Sequence, residues 1–331
     1  MKELLYYPGF EVKDENWLKF ALLYIKKLDS IVPPRGDSYL SSLYHEINNE
    51  TNFFYNIRPD YEEGYNASID ALEAIEKIFK YPNRYFRNFH TSNVIEKWKN
   101  GNYQDYTLFS EKYTYDFQRF CIDNEIAQEC SEGIKVPREL ALMYMGQLSS
   151  VISDKRGLEA ITDYRELDNF NIFSRRTYSS KSKRKITLAK NIINLYLPSN
   201  LDDIKFRDII RLRNDKNYYS TLDAFHHHLD TYFNSLEGNE DGNSYDFMDS
   251  LNYSLKNLGC ELIKLTPEVT GFAIGVWTLL NTPINNYTSY LGNGLTFGAI
   301  GATIVQISGE WKKSKTNRFA KKYCANLRRL G

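Results

Sequence analysis

Short apolar runs alternate with amphipathic stretches along the first eighty residues, and this alternation restricts the fold more than any other feature. The apolar runs 4–7, 31–32 and 53–57 each end at a proline-containing turn, which is typical of buried strands. Asp14 suits the N-cap of a helix between the first two runs. The apolar side chains of that helix recur at intervals of three and four: Trp17, Leu18, Ala21, Leu22, Ile25 and Leu28. Strand–helix units of this length favour a parallel sheet.

A helix–strand unit further along the chain continues this pattern. Pro137 opens a predicted helix that ends near Gly157, and the run 158–162 follows as a strand that would join the same sheet. The stretch between the two parts, about 81–135, is aromatic and polar with weak periodicity, so we expect an irregular helical insert there.

Two regions follow from these patterns. We expect an α/β domain with a mainly parallel sheet over residues 1–170. We expect a mainly α-helical region over residues 171–331, because the apolar spacing from Leu201 onward is helical. A chain of 331 residues is long enough for two domains of ordinary size.

The charge balance of the chain bears on its partners and its compartment. The sequence has 42 Lys and Arg residues against 42 Asp and Glu residues. This balance disfavours nucleic acid as a partner, because proteins that bind nucleic acid usually present a basic field. Four widely separated cysteines make no disulfide framework, and the first residues lack the apolar run of a signal peptide. We therefore expect a cytoplasmic protein.

Three groups of short motifs occur in order along the first two thirds of the chain. They are YYP at 6–8 with WLKFALLY at 17–24 and IVP at 31–33, YM at 144–145 with GLEAITD at 157–163, and LP at 197–198 with II at 209–210 and LR at 212–213. In this order the motifs resemble a bacterial family of unknown function. The resemblance implies the same fold and a bacterial origin, and it implies no reaction.

The segment 269–309 carries no charged side chain, although one quarter of the chain is charged. It predicts a hairpin of two apolar, glycine-rich pieces separated by a polar turn. Small residues four apart let two helices approach closely, a recurrent arrangement in membranes. The residues expected at a membrane or partner interface are Gly271, Gly275, Gly294, Gly298, Trp277 and Trp311.

A basic tail follows this segment and begins with Lys312 and Lys313. A basic flank beside an apolar hairpin fits the anionic lipid of an inner membrane. However, each apolar piece is shorter than a bilayer requires, and a buried hairpin in a soluble core uses the same residue types. Both interpretations stay open, so the protein is expected in the cytoplasm, either free or attached to the inner membrane.

A second basic run lies at 175–190 and has no acidic residue. Its lysines and arginines could contact phosphate, and the aromatic residues nearby would allow base stacking. A solvated loop is the alternative and the default for such a run. The residues expected to make basic contacts here are Lys181, Lys183, Arg184 and Lys185.

Two arrangements of side chains could hold a divalent metal. Asp60 and Asp163 both follow predicted strands, and ligands bind beyond the carboxyl ends of strands in open parallel sheets. If those strands are neighbours, the two acids would converge with Arg58 and Thr162 on one catalytic pocket and hold Mg²⁺ for phosphodiester chemistry. An Asp after a strand is also a common helix N-cap.

The second arrangement is His227 with Asp223 and Asp230, which lie four residues before it and three after it on a predicted helix. One imidazole and two carboxylates are metal ligands in principle, but a solvated helix face explains them as well. No phosphate-binding glycine loop and no GxSxG motif occurs, which argues against an ATPase, a dinucleotide enzyme and an α/β-hydrolase. No cofactor other than a divalent metal is indicated.

The function predicted first is that of an interaction or effector protein. Its C-terminal hairpin would dock at a membrane or at another protein, including a second copy of the chain, as in phage defence or toxicity. A metal-dependent, nuclease-like enzyme that uses Asp60 and Asp163 is one alternative. A structural subunit of a larger assembly, with the hairpin as its interface, is the other. The sequence leaves open whether the protein is an enzyme.

Overall fold

The computed structural model describes residues 4–91, 93–164, 167, 170 and 204–237, with side chains to 228 and at 231 in the last range. It also describes six helical positions between 250 and 261. Four further strands, at 193–198, 272–277, 295–296 and 302–304, are described by their backbone.

Four short strands form the parallel sheet that the sequence predicts. They are β1 (Leu4–Tyr6), β2 (Leu28–Ile31), β3 (Phe54–Ile57) and β7 (Glu159–Ile161), in the order β3-β2-β1-β7. Leu5 lies in register with Asp29 of β2 on one side and with Ala160 of β7 on the other. The strand predicted after Gly157 therefore joins this sheet beside β1, and the α/β fold expected for the N-terminal region is confirmed.

Helices that begin at polar caps connect and cover these strands. They are α1 (Glu15–Tyr24), α2 (Ser42–Thr51), α3 (Tyr61–Lys80) and α7 (Arg138–Arg156). The Asp14 carboxylate accepts the Trp17 N–H at 2.9 Å and caps α1, as predicted. Helix α7 ends at Gly157, whose φ of +69° lies in the left-handed region that glycine adopts without a steric cost.

The two faces of the sheet carry separate apolar cores, because successive strand residues point to opposite sides. Tyr6 packs on the side of α1 and α2, whereas Leu5 packs on the side of α3 and α7. Both side chains are fully buried. A sheet covered by helices on both faces explains why these strands read as continuous apolar runs.

The insert between α3 and α7 contains more order than its weak periodicity predicts. Its helices are α4 (Phe86–Phe89), α5 (Val94–Lys99) and α6 (Tyr115–Asp123), and its strands are β4 (Tyr106–Phe109), β5 (Gln128–Cys130) and β6 (Gly133–Val136). Single 3₁₀ turns lie at Pro34–Tyr39, Pro82–Tyr85, Gly101–Tyr103 and Ser110–Lys112. The strands form a small antiparallel sheet in the order β4-β6-β5. Strands of three or four residues are too short for a two-residue period to show.

Two further helices, α8 (Phe206–Arg213) and α9 (Lys216–Glu237), pack against α1. They confirm the helical structure that the apolar spacing predicts for this part of the chain. The Arg213 guanidinium donates to the carbonyls of Leu22, Ile25 and Lys26, and His226 Nε2 lies 2.9 Å from the Tyr24 carbonyl oxygen. These buried polar side chains satisfy carbonyls that the end of a helix leaves without partners.

The C-terminal part also contains an antiparallel sheet that the sequence did not predict. Its strands are β8 (Ile193–Pro198), β9 (Phe272–Trp277), β10 (Leu295–Thr296) and β11 (Ala302–Ile304), in the order β10-β11-β9-β8. The expected pair of helices within 269–309 is therefore wrong at the described residues of β9, β10 and β11. Aromatic and β-branched residues favour strands, and glycine disfavours helices. These residues therefore form strands that pair with β8, although the glycines are spaced as in a pair of packed helices.

Candidate ligand site at the carboxyl edge of the parallel sheet

The carboxyl edge of the sheet has its topological switch between β1 and β7, because the chain leaves β1 toward β2 and β3 and later returns on the other side. Two of the predicted site residues, Thr162 and Asp163, lie at this switch. The buried hydroxyl of Tyr6 donates to Asp163 Oδ1 at 2.8 Å. Burial raises the pKa of the Asp163 carboxyl, the Asp14 carboxylate raises it further, and the Tyr6 hydrogen bond opposes both effects.

Thr162 has a structural role at this edge. Its side chain is fully buried, and its Oγ1 accepts the Tyr164 N–H at 3.0 Å, which closes the turn after β7. Burial and the neighbouring Asp163 together raise the pKa of the Tyr6 hydroxyl, so this pair keeps its proton on Tyr6 over the physiological range.

Asp60 and Arg58 lie at the opposite edge of the sheet, beyond β3. Strands β2 and β1 separate β3 from β7, which corresponds to about 14 Å at the usual strand spacing. Asp60 caps α3 by accepting the Glu63 N–H at 2.8 Å, and it pairs with Lys155 at 2.8 Å. These two hydrogen bonds lower the pKa of its carboxyl. The expected convergence of Asp60 and Asp163 on one metal is therefore wrong, because their strands are not neighbours.

Arg58 forms an ion pair at that edge, since its Nη2 lies 3.1 Å from Asp37 Oδ2. Next to it, the buried Glu63 carboxylate accepts from Arg156 Nε at 2.6 Å and from Arg156 Nη2 at 2.7 Å. The charges around Asp60 thus form a structural network that fixes the start of α3 against the end of α7.

The histidine arrangement does not form a metal site in the part of the chain that the structure describes. Asp223 pairs with Lys26, which lowers the pKa of its carboxyl, and His227 is exposed. The side chain of Asp230 lies outside the described residues. Over all described residues, no group of three or more His, Cys, Asp or Glu side chains is arranged to hold a metal ion.

A cleft opens at the carboxyl ends of β1 and β2, and we call it the edge cleft. It encloses about 310 Å³, a volume at the lower end of the range for small-molecule sites. One wall is formed by the loop after β1 and the 3₁₀ turn after β2, and the other by the small antiparallel sheet. The lining residues are Phe10, Glu11, Lys13, Tyr39, Thr107, Phe109 and Glu132.

Aromatic rings form much of the surface of the edge cleft. The Phe10 and Phe109 rings lie 5.2 Å apart between centroids, and Tyr39 meets Phe109 edge-on at 5.6 Å. Tyr39 is 57% exposed, so its ring remains available to a ligand. Such a surface suits a planar ring, which gains from offset or edge-to-face contacts with its neighbours.

The two walls of the edge cleft are tied together by ion pairs and hydrogen bonds. Arg35, from the turn after β2, donates to the Ser131 carbonyl at 3.2 Å and pairs with Glu111 at 3.5 Å. Glu11 accepts from the Ser41 hydroxyl at 2.6 Å and from the Ser41 N–H at 3.1 Å, so its carboxylate shapes the wall. Lys13 and Thr107 line the cleft with polar groups that a ligand can contact, whereas the Glu132 carboxylate already accepts hydrogen bonds from Ser131 and Cys130.

Sequence reasoning missed the residues of this cleft and also Lys112, which is buried beside it. Lys112 Nζ lies 4.8 Å from the centroid of the Phe10 ring, and the Lys112 side chain has almost no contact with solvent. Lys112 lies in a stretch of the sequence without a motif or a clear hydrophobic period. The one available signal was that Phe10 follows a strand closed by Pro8 and Gly9, which is where parallel sheets place ligand-binding loops.

The remaining predicted contact residues fall largely beyond the described part of the chain. Gly275 and Trp277 belong to β9, where Gly275 lies in register with Leu195 of β8. Gly271, Gly294, Gly298, Trp311, and the basic residues Lys181, Lys183, Arg184, Lys185, Lys312 and Lys313 lie outside the described residues. Among the residues that the structure describes, no helix combines the length and the apolarity that crossing a membrane requires.

No protein-family model, no curated protein and no solved structure matches this chain. The resemblance drawn from the motifs in the first two thirds of the sequence therefore stays a prediction.

Proposed function

We propose that this protein binds a small molecule with a planar aromatic ring in the edge cleft. The observation that carries the proposal is the position of the cleft: segments that follow the carboxyl ends of β1 and β2 line it, on the edge of the sheet where open parallel sheets bind ligands and beside the switch between β1 and β7. The rings of Phe10, Tyr39 and Phe109 supply the surface for a planar group. Lys13 and Thr107 supply hydrogen-bonding groups around it, and Glu132 supplies a negative charge.

Binding can be tested by ligand-observed NMR with three probes, namely 4-hydroxybenzoate, adenosine and, as a probe without a ring, glutarate. The informative variant is Tyr39→Ala, since Tyr39 is mostly exposed and its loss leaves the core intact. Tyr219→Ala is the matched control, because Tyr219 is 53% exposed and lies on α9.

We expect at least one ring-bearing probe to bind the unaltered chain and glutarate to bind at least tenfold more weakly. We expect Tyr39→Ala to weaken binding of the ring-bearing probe about tenfold, or ~1.4 kcal/mol, because an aromatic contact of this kind is lost. The Tyr219→Ala variant should bind as the unaltered chain does. Equal binding by Tyr39→Ala and the unaltered chain, or no binding of either aromatic probe, would overturn the proposal.

We propose as a second function that the uncharged segment 269–309 and the basic tail attach the protein to an anionic membrane. The support is the sequence itself, in which a long uncharged stretch is followed directly by lysines and arginines. Flotation with phosphatidylglycerol vesicles at low and at high salt tests it. Flotation at high salt would support apolar insertion, and flotation at low salt alone would support electrostatic attachment through Lys312 and its neighbours. Absence of flotation at both would refute membrane attachment.

A further inference from the structure

Lys112 is a lysine whose whole side chain lies inside the protein. It ends the 3₁₀ turn after β4 and is 3% exposed. The Tyr144 hydroxyl of α7 donates to its backbone carbonyl at 2.6 Å, and Gly64 of α3 packs so closely that an added Cβ would lie 3.2 Å from the same oxygen. The backbone of Lys112 is therefore held in place from two helices.

The surroundings of the Lys112 amine are apolar. Its Nζ lies 3.6 Å from Met145 Sδ and 4.8 Å from the centroid of the Phe10 ring. Within the described part of the chain, no carboxylate lies within ion-pair distance of this nitrogen, and the adjacent Glu111 pairs with Arg35 instead. A thioether is a weak acceptor, so the amine is poorly compensated for the water it has lost.

This burial lowers the pKa of the Lys112 amine to about 7, and the charge of Glu111 opposes the effect only in part. The other titratable groups near the turn, Tyr113 and Tyr144, have pKa values raised by burial and stay neutral throughout the physiological range. A large fraction of the amine is then unprotonated at neutral pH. An unprotonated lysine in an apolar pocket is the form that attacks carbonyl carbons.

Phe10 connects this amine with the edge cleft. Its ring lies 4.8 Å from Nζ and also lines the cleft, so the same side chain contacts both the nitrogen and the ligand space. The ring is half-buried and sits against Gly36, where an added Cβ would lie 2.9 Å from it. Because Lys112 is buried and does not line the cleft, the Phe10 ring has to move before the amine and a ligand in the cleft can meet.

We propose that Lys112 is a covalent attachment site that forms an imine with an aromatic aldehyde or ketone bound in the edge cleft. This proposal rests on the proposed ligand-binding function and names the reactive group of the ligand. The lone pair of the amine attacks the carbonyl carbon, a carbon–nitrogen bond forms, and the π bond of the carbonyl breaks to give a carbinolamine. The carbinolamine oxygen then leaves as water with both hydrogens of the amine, so no oxidant or reductant is needed.

The experiment uses the full chain with 4-hydroxybenzaldehyde, followed by sodium borohydride, which reduces the imine to a stable secondary amine. Mass spectrometry of peptides then reports the modified fraction at each lysine. The variants are Lys112→Met, which removes the nucleophile, Lys216→Met, which removes an exposed lysine of α9 outside the cleft, and Phe10→Ala, which removes the ring over the amine. Binding of 4-hydroxybenzoate, which has the same ring and no electrophilic carbonyl, is measured in parallel on every variant.

We expect Lys112 to be modified at least tenfold faster at pH 7 than the average exposed lysine. In Phe10→Ala the loss of the ring weakens binding, and modification per molecule of bound aldehyde should be faster still. Modification at this peptide should disappear in Lys112→Met and persist in Lys216→Met. Binding of 4-hydroxybenzoate with no modification of Lys112, in both the unaltered chain and Phe10→Ala, would overturn the imine proposal and leave the proposed function standing. Absence of both binding and modification would overturn the two together.

Discussion

The buried amine of Lys112 makes a quantitative prediction about stability that does not depend on any ligand. In the folded protein its pKa is about 7, against 10.5 for an ordinary lysine. Replacing Lys112 by Met keeps an unbranched side chain of similar length and removes the titrating group. The difference in unfolding free energy between the two proteins at each pH therefore isolates the contribution of this amine.

The sign follows from proton binding. Below pH 7 both the folded and the unfolded chain hold the proton, so the cost of burying the charged amine is fully present. Between pH 7 and 10.5 the unfolded chain holds the proton and the folded chain releases it, so the unfolding free energy of the unaltered protein rises with pH. The slope is about 1.4 kcal/mol per pH unit, which corresponds to ~2 kcal/mol between pH 7 and 8.5.

Urea denaturation followed by tryptophan fluorescence is a suitable assay, because Trp17 and Trp98 are fully buried, one in each core. The titration ends at pH 8.5 to limit the contribution of the Cys121 thiol. Burial raises the pKa of this thiol in the folded protein, so ionisation of the thiol in the unfolded chain lowers the stability as the pH rises further. Lys112→Met should be the more stable protein at pH 7, and its advantage should shrink by ~2 kcal/mol at pH 8.5. An advantage that stays constant across this interval would refute the reasoning and would mean that the amine keeps its charge in the fold.

Two further predictions concern buried polar groups away from the cleft. Arg156→Met should lower the unfolding free energy by about 2–3 kcal/mol in urea denaturation, because it leaves the buried Glu63 carboxylate without its cation, although the one-third exposure of Arg156 limits the effect. Adding Glu63→Gln should restore part of the loss, and a double variant no more stable than the single one would contradict this account. Burial lowers the pKa of His226 to about 3, so its unfolded form binds a proton below pH 6.5 and stability falls by about 1.4 kcal/mol per unit on acidification. His226→Met should lack this slope in urea titrations from pH 6.5 to 5, and an identical slope in both proteins would mean that the folded imidazole binds the proton.

Much of the N-terminal fold could be predicted from local patterns. Asp14 as the cap of α1 and Gly157 as the end of α7 are each set by interactions among residues close in sequence. The strand that follows Gly157 was predicted from its apolar run, although its partner β1 is distant along the chain. The N-cap alternative for Asp60 is likewise confirmed by its hydrogen bond to the Glu63 N–H. Capping needs only three or four neighbouring residues, so the sequence contains the whole cause.

The candidate site could not be predicted in the same way. The proposed cleft lies at the carboxyl ends of strands, but Asp60 and Asp163 would share a pocket only if β3 and β7 were neighbours. The order of strands in a sheet depends on long-range pairing between strands. Here β7 pairs with β1 on the side away from β3. Lys112 carries no sequence signal, because its burial results from Phe10, Met145 and Tyr144, which are distant along the chain.

The sequence by itself determined the alternation of helices and strands that builds the parallel sheet, and that its strands run parallel. It did not determine the strands of the insert, and it placed Leu28 in the first helix, whereas Leu28 begins β2. Periodicity, caps and turn residues act over a few positions, so they can be read directly from neighbouring letters. Only the tertiary structure decided the order of the strands, the antiparallel sheet that walls the edge cleft, and the exclusion of water from Lys112. These depend on long-range packing, in which the environment of a side chain is set by residues that its own neighbourhood in the sequence does not contain.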